Sequence, residues 1–208
     1  MNDGIVVLGG GGHAKVVIEL LRAMGEQVVA CVGGEDSPDR CLDLPVLKGD
    51  VHLEVLREQG YNRAFIAIGS NRIRAIVATQ VRELGFCLVN AISPKAHISG
   101  SAKLGLGIAI MAGVVINAEA AIGNLAIINT GATVDHDCII GEAVHIAPQC
   151  ALAGCVVVGD GAFLGIGCKV IPNRRIGRNA VLGAGSVVIT NIPEAVTAAG
   201  VPARALHQ

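Results

Sequence analysis

From residue 98 to residue 188 the apolar positions recur with a period of six. Ile98, Leu104, Ile110, Ile116, Ile122, Ile128, Val134, Ile140, Ile146, Leu152, Val158, Leu164, Val170, Ile176, Leu182 and Val188 are all aliphatic. A smaller class follows four positions after each, from Ala102 through Ala120, Ala132, Cys138, Cys150 and Cys168 to Ala180 and Ser186, with Arg174 the clear exception. An α-helix cannot use this period, because six residues advance it by about 600° and smear the apolar face. A short flat strand and a tight corner are complete in about six residues, and three such units close a triangular coil around stacked aliphatics. The pattern predicts a hexapeptide solenoid within residues 92–208, with residues eighteen apart on neighbouring coils. No insertion interrupts it, so a site must lie on a bare edge or in a groove between subunits.

The first 91 residues follow another pattern. Gly4–Leu8 is a short continuous apolar run of the kind found in buried parallel strands. It empties into Gly9-Gly10-Gly11-Gly12-His13, after which Ala14 to Met24 has helical spacing. Strands are predicted at Val28–Val32, Arg63–Ile68 and Phe86–Val89, and helices at Val51–Glu58 and Arg72–Leu84. This alternation implies a small parallel sheet with right-handed crossovers, ending near Ala91 to Pro94. Gly9, Gly11 and Ala14 satisfy a loose dinucleotide fingerprint. The second strand, however, runs into Gly33-Gly34 with Glu35 and Asp36 beyond, and no second half follows. A nucleotide or nucleotide-sugar suits this half-sized site better than NAD, while a tight turn with a purely structural role is the other reading.

Composition narrows the function classes. A net charge of -1 leaves no electrostatic footprint for nucleic acid or an anionic membrane. No signal-peptide pattern and no apolar run of about 20 residues is present, so a cytoplasmic location is expected. Of the seven cysteines, Cys138, Cys150 and Cys168 occupy the small inward slot as compact apolar fillers, and Cys31 and Cys87 are expected to end buried strands. Zinc-type pairing is absent. Cys155 lies off the inward slots.

Within the nearly uncharged solenoid, Asp135-His136-Asp137 stands out. His136 falls two residues past an inward aliphatic, on or near a corner, with Ala118 and Gly154 stacked on either side. An exposed imidazole flanked by carboxylates, with little bulk around it, suits a general base. His145 is expected near a corner as well. Two surface histidines without function are the alternative. His97, His136 and His145 do not share an edge under the eighteen-residue rule, so a three-histidine metal cage is not expected.

Four stretches together resemble a known family: Gly9-Gly10-Gly11-Gly12-His13-Ala14-Lys15-Val16-Val17, Ala67-Ile68-Gly69-Ser70-Asn71, Asn129 to Asp137, and Gly200-Val201-Pro202-Ala203-Arg204. The chain is similar over essentially its whole length to the bacterial sugar acyltransferases that acetylate nucleotide-linked 4-amino sugars, a group that includes sialic acid O-acetyltransferase-like proteins. The resemblance implies a small α/β Rossmann-like domain (residues 1–91) followed by a left-handed parallel β-helix (residues 92–208). It implies acetyl-CoA as co-substrate, no metal, and a homotrimer. The acceptor would be a GDP- or UDP-linked 4-amino-4,6-dideoxy sugar such as GDP-perosamine, with sugar O-acetylation as the alternative. By the same resemblance His136 is the general base and Asp137 raises its basicity. His145, Gly154, Ile166 and Ala184 would lie along acetyl-CoA between subunits, and Gly11, Gly12, His13, Gly69, Asn71 and Asn129 would bind the nucleotide-sugar.

Overall fold

The computed structural model describes residues 2–206. It divides into two compact units, Met1–Ser93 and Pro94–Gln208. In the first, β1 (Asn2–Leu8), β2 (Val28–Gly33), β3 (Arg40–Cys41), β4 (Leu44–Lys48), β5 (Tyr61–Ile66) and β6 (Cys87–Leu88) form one sheet in the order β3-β4-β2-β1-β5-β6. Its helices are α1 (Gly12–Ala23), α2 (Val51–Glu58) and α3 (Asn71–Glu83). The central strands bury continuous runs such as Ile5, Val6 and Val7, as a parallel sheet between helices requires.

The sheet departs from the sequence expectation at β3 and β4, which pair antiparallel and make it mixed. The segment Leu44-Pro45-Val46-Leu47-Lys48 was not predicted as a strand. Its proline faces away from the core and the strand pairs parallel with β2 through Val46, Leu47 and Lys48, beyond the proline. Cys87 begins β6 and is exposed, so it is not a buried strand end.

The second unit is a left-handed parallel β-helix of two-residue strands. From His97 to Val188 pairing is parallel and offset by eighteen residues, as in Val115↔Thr133, Thr133↔Ala151 and Ala151↔Lys169, and beyond it Thr197–Gly200 pairs parallel at an offset of sixteen and then antiparallel with Ala203–Ala205. Three faces result. The first carries His97, Val115, Thr133, Ala151, Lys169 and Val187; the second carries Lys103, Ala121, Ile139, Val157 and Arg175; the third carries Ala109, Ile127, His145, Phe163 and Val181. From Ile110 to Val188 every sixth residue is inward and no more than 3 % exposed. The small slot is sealed too from Ala120 to Ser186, Arg174 excepted, and its thiols reach carbonyls of the adjoining coil, Cys150 to Gly165 at 3.1 Å and Cys168 to Gly183 at 3.1 Å.

The corners also repeat. Glu119, Leu125, Gly131, Asp137, Ala143, Gln149, Cys155 and Gly161 follow one another at six-residue intervals, and all have φ between 53° and 69°. The chain must turn left-handed once per hexapeptide, a conformation that non-glycine residues adopt at some cost and that the packed coil imposes. No described helix is long and apolar enough to cross a membrane.

Candidate active site

His136 lies on the corner between the first and second faces. Its backbone N–H donates to Asp135 Oδ1 at 2.8 Å, and the same oxygen accepts from Asn117 Nδ2 at 2.8 Å on the preceding coil. The imidazole Nδ1 meets Asp137 Oδ2 at 2.7 Å, with both side chains a little over half exposed. That bond, aided by the charges of Asp135 and Asp137, holds the imidazole pKa above its ordinary value. Asp135 is held below the usual carboxylate range by the Asn117 amide and the His136 N–H. With Nδ1–H donating to Asp137, the neutral ring presents Nε2 as the acceptor.

Gly154 explains the ring's resting place. A Cβ built on it would sit 2.5 Å from both His136 Cε1 and Nε2, so the ring lies over the bare backbone of the next coil. Cys155 N–H donates to His136 O at 2.9 Å, which fixes the two coils at this corner. A groove of about 480 Å³ runs along the first face to the same corner, lined by Asn117, Thr133, Asp135, Ala151, Ala153 and Lys169 among others.

The remaining solenoid residues fall elsewhere. His145 begins a strand on the third face rather than reaching a corner, because it directly precedes the inward Ile146. Its Nε2 is 3.2 Å from Asn129 Nδ2, and its ring stands edge-on to Phe163 at 5.3 Å. Ile166 and Ala184 share the corner between the third and first faces, where Gly185 N–H donates to Ile166 O at 2.7 Å. Ile166 is 58 % exposed, enough to offer an apolar surface to another molecule. One chain therefore unites His136, Asp137 and Gly154, pairs His145 with Asn129, and sets Ile166 with Ala184 across the first face from His136.

In the N-terminal unit the glycine run has two halves. Gly9 has φ of 123°, and a Cβ there would lie 2.6 Å from Ala67 O; at Gly10 it would press on Val46. These two are required by internal packing. At Gly11, Gly12 and Gly69 a Cβ would meet nothing within 4 Å. The strand order reverses between β1 and β5, the switch point at which open α/β sheets receive ligands beyond the strand ends. Gly11 caps α1 without a side-chain hydrogen bond, and no acid stands in the first turn, so the helix start presents donors and a positive dipole end. Diphosphate oxygens fit such a cradle.

His13 adds a second sign of a ligand. Burial, with Arg74 nearby, pushes its pKa down to about 4, and its buried Nε2 has no hydrogen-bond partner among the described residues. Arg74, 1 % exposed, reaches Ile68 O at 2.9 Å, Gly69 O at 3.1 Å and Asn71 Oδ1 at 2.8 Å. Burial lowers its pKa to about 10. It thus moulds the loop between β5 and α3 and takes up the carboxamide oxygen of Asn71. Sequence reasoning missed Arg74, although the signal was there: it sits in the inward register of α3 with Ala78 and Val81, where a cation needs a reason.

Comparison with known proteins agrees with both halves. Residues 4–81 match the PglD N-terminal domain, and residues 155–190 match the bacterial transferase hexapeptide (six repeats). A histidine-to-asparagine variant of perosamine N-acetyltransferase from Caulobacter crescentus, solved with CoA and GDP-perosamine, is 54 % identical with a TM-score of 0.96, covering 99 % of this chain and 97 % of that one. The acetyltransferase domain of PglB from Neisseria gonorrhoeae, solved with acetyl coenzyme A, is 35 % identical with a TM-score of 0.91, covering 99 % and 100 %. WeeI from Acinetobacter baumannii is 26 % identical with a TM-score of 0.87, covering 98 % and 99 %. With its glycine-turn α/β unit, its hexapeptide coil and these relatives along the full length, the chain is an acetyltransferase and belongs to the hexapeptide-repeat family that includes perosamine N-acetyltransferase and the PglB acetyltransferase domain.

Proposed function

We propose that this protein transfers the acetyl group of acetyl-CoA to the 4-amino group of a GDP-linked 4-amino-4,6-dideoxy sugar, GDP-perosamine being the acceptor in the 54 %-identical relative. The observation that carries the reading is the His136 ring, pinned through Nδ1 to Asp137 and laid over Gly154. The amine attacks the thioester carbonyl, Nε2 of His136 takes its proton as the C–N bond forms, and CoA leaves as the thiol. A thioester is already activated, so no enzyme nucleophile is needed. The backbone N–H of Gly154 is our candidate donor to the developing oxyanion.

The glycine turn, Gly11, Gly12 and His13, with Gly69 and Asn71, holds the nucleotide-sugar, whereas the solenoid holds CoA. His136 lies at one edge of the first face and the Ile166–Ala184 corner at the other, so a ligand that touches both kinds of corner closely calls for two copies. A homotrimer, with CoA between adjacent coils, supplies that arrangement, and the exposed Ile139 and Ile166 provide apolar contact surface. A cytoplasmic enzyme is the simplest setting for acetyl-CoA and a nucleotide-linked sugar to meet.

Purified protein given acetyl-CoA and a panel of GDP-, UDP- and dTDP-linked 4-amino sugars tests the reading. Mass spectrometry is expected to show one acetyl group as an alkali-stable amide on the GDP-linked acceptor. Failure to acetylate any of them, or formation of an alkali-labile ester, would overturn it.

Two variants probe the division of labour. Gly12→Val fills open space without touching the protein, so the fold is expected to persist while the KM for the nucleotide-sugar rises about tenfold or more and that for acetyl-CoA stays within twofold. The reverse pattern would make the turn a CoA site. Asp137→Asn removes the main cause of the raised His136 pKa. The base works when neutral, so activity rises as pH passes through this pKa. In the variant that rise is expected at lower pH, with a reduced plateau, and an unmoved profile would show that Asp137 does not act through His136.

A further inference from the structure

We propose that His136, Asp137 and Cys155 form a binding site for Zn²⁺ whose occupation switches the enzyme off. Asp137 and Cys155 are eighteen residues apart and occupy the same corner position on neighbouring coils, with φ of 58° and 60°. Their backbones are fixed by the Asp137 N–H bond to Ala118 O at 3.0 Å and the Cys155 N–H bond to His136 O at 2.9 Å. Gly154 places no side chain between the imidazole and Cys155. One imidazole nitrogen, one carboxylate oxygen and the thiol sulfur consequently lie within 4.8 Å of one another, all on exposed side chains.

Nitrogen, oxygen and sulfur in one cluster are the donor set Zn²⁺ prefers, and bond lengths of about 2.0–2.3 Å place its ligand atoms roughly 3.5 Å apart. Rotation of exposed side chains supplies the closure of about 1 Å. Three protein ligands leave the fourth tetrahedral position to water. On binding, Cys155 gives its proton to solvent and coordinates as thiolate. Whichever ring nitrogen the metal takes, the other carries the hydrogen, so the imidazole has no lone pair left for the substrate amine. Inhibition rests on the role assigned to His136 above; metal binding does not.

Co²⁺ titrated into the full-length protein, in buffer free of added thiol, reads the site directly. A thiolate-to-cobalt charge-transfer band saturating near one equivalent per chain is expected, bleached by Zn²⁺ and lost in both Cys155→Ala and His136→Ala. Alanine is tolerated at such a corner, as Ala143 at φ 53° shows. Acetylated product, measured by mass because free CoA also binds zinc, is expected to fall at least tenfold with micromolar Zn²⁺ and to return with EDTA. Cys155→Ala, with metal-free activity like wild type, is expected to need at least tenfold more Zn²⁺. No band in the wild type, the same band in Cys155→Ala, or equal inhibition of the two proteins would overturn the site. A normal band with unimpaired transfer would instead overturn the inhibition and the assignment of His136 as base.

Discussion

Replacing His136 by alanine is expected to lower kcat for acetyl transfer by ~10²–10⁴-fold, the usual cost of removing a positioned general base. The amine loses a proton as it attacks, and no other histidine stands at this corner among the described residues: His97 lies on the first face and His145 on the third. Stability should hardly move, because the side chain is more than half exposed and the corner is kept by main-chain bonds from Asp137 to Ala118 and from Cys155 to His136. The measurement is steady-state kinetics beside a thermal melt. Transfer within threefold of wild type by a folded variant would remove His136 from the mechanism.

Gly154→Ala is expected to reduce kcat about 100-fold without altering any group that takes part in proton transfer. The added methyl would stand 2.5 Å from Cε1 and Nε2 of His136. Contact that close cannot persist, and the exposed imidazole moves more readily than the packed coil. The variant keeps the backbone N–H proposed for the oxyanion, so the loss reports displacement of the ring, and a misplacement of about 1 Å at a reacting group can cost on the order of 10²-fold. The thermal midpoint should stay within about 3 °C of wild type. Combined with His136→Ala, the substitution should add almost nothing, since both disable one device. Full activity in Gly154→Ala, or additive losses in the double variant, would show that the ring's position over Gly154 is not the one used.

These two residues also show where sequence reading works. In a solenoid each coil touches only its neighbours, so spacing along the chain is spacing in space: the six-residue period named the inward aliphatics, and the eighteen-residue offset stacked Gly154 against His136. His145 was misplaced within the same frame. Position relative to the inward residue decides between strand and corner, and His145 stands one before Ile146 rather than two after an aliphatic.

In the N-terminal unit, the apolar runs and the glycine turn determined an alternating α/β sheet. They left open which glycines serve the fold. Only packing separates Gly9, held against Ala67, from Gly11 and Gly12, which face open space, because that difference depends on strands distant in sequence. The same holds for Arg74, whose guanidinium is bound by the loop it shapes, and for the buried Nε2 of His13. The sequence by itself determined the coil, its register and the histidine placed on its corner, since those follow from local periodicity. Tertiary structure alone decided the direction of the imidazole over bare backbone, the approach of the Cys155 thiol to it, and which glycines of the turn at the β1–β5 switch point face open space, since these depend on side-chain direction and on contacts between segments far apart in the chain.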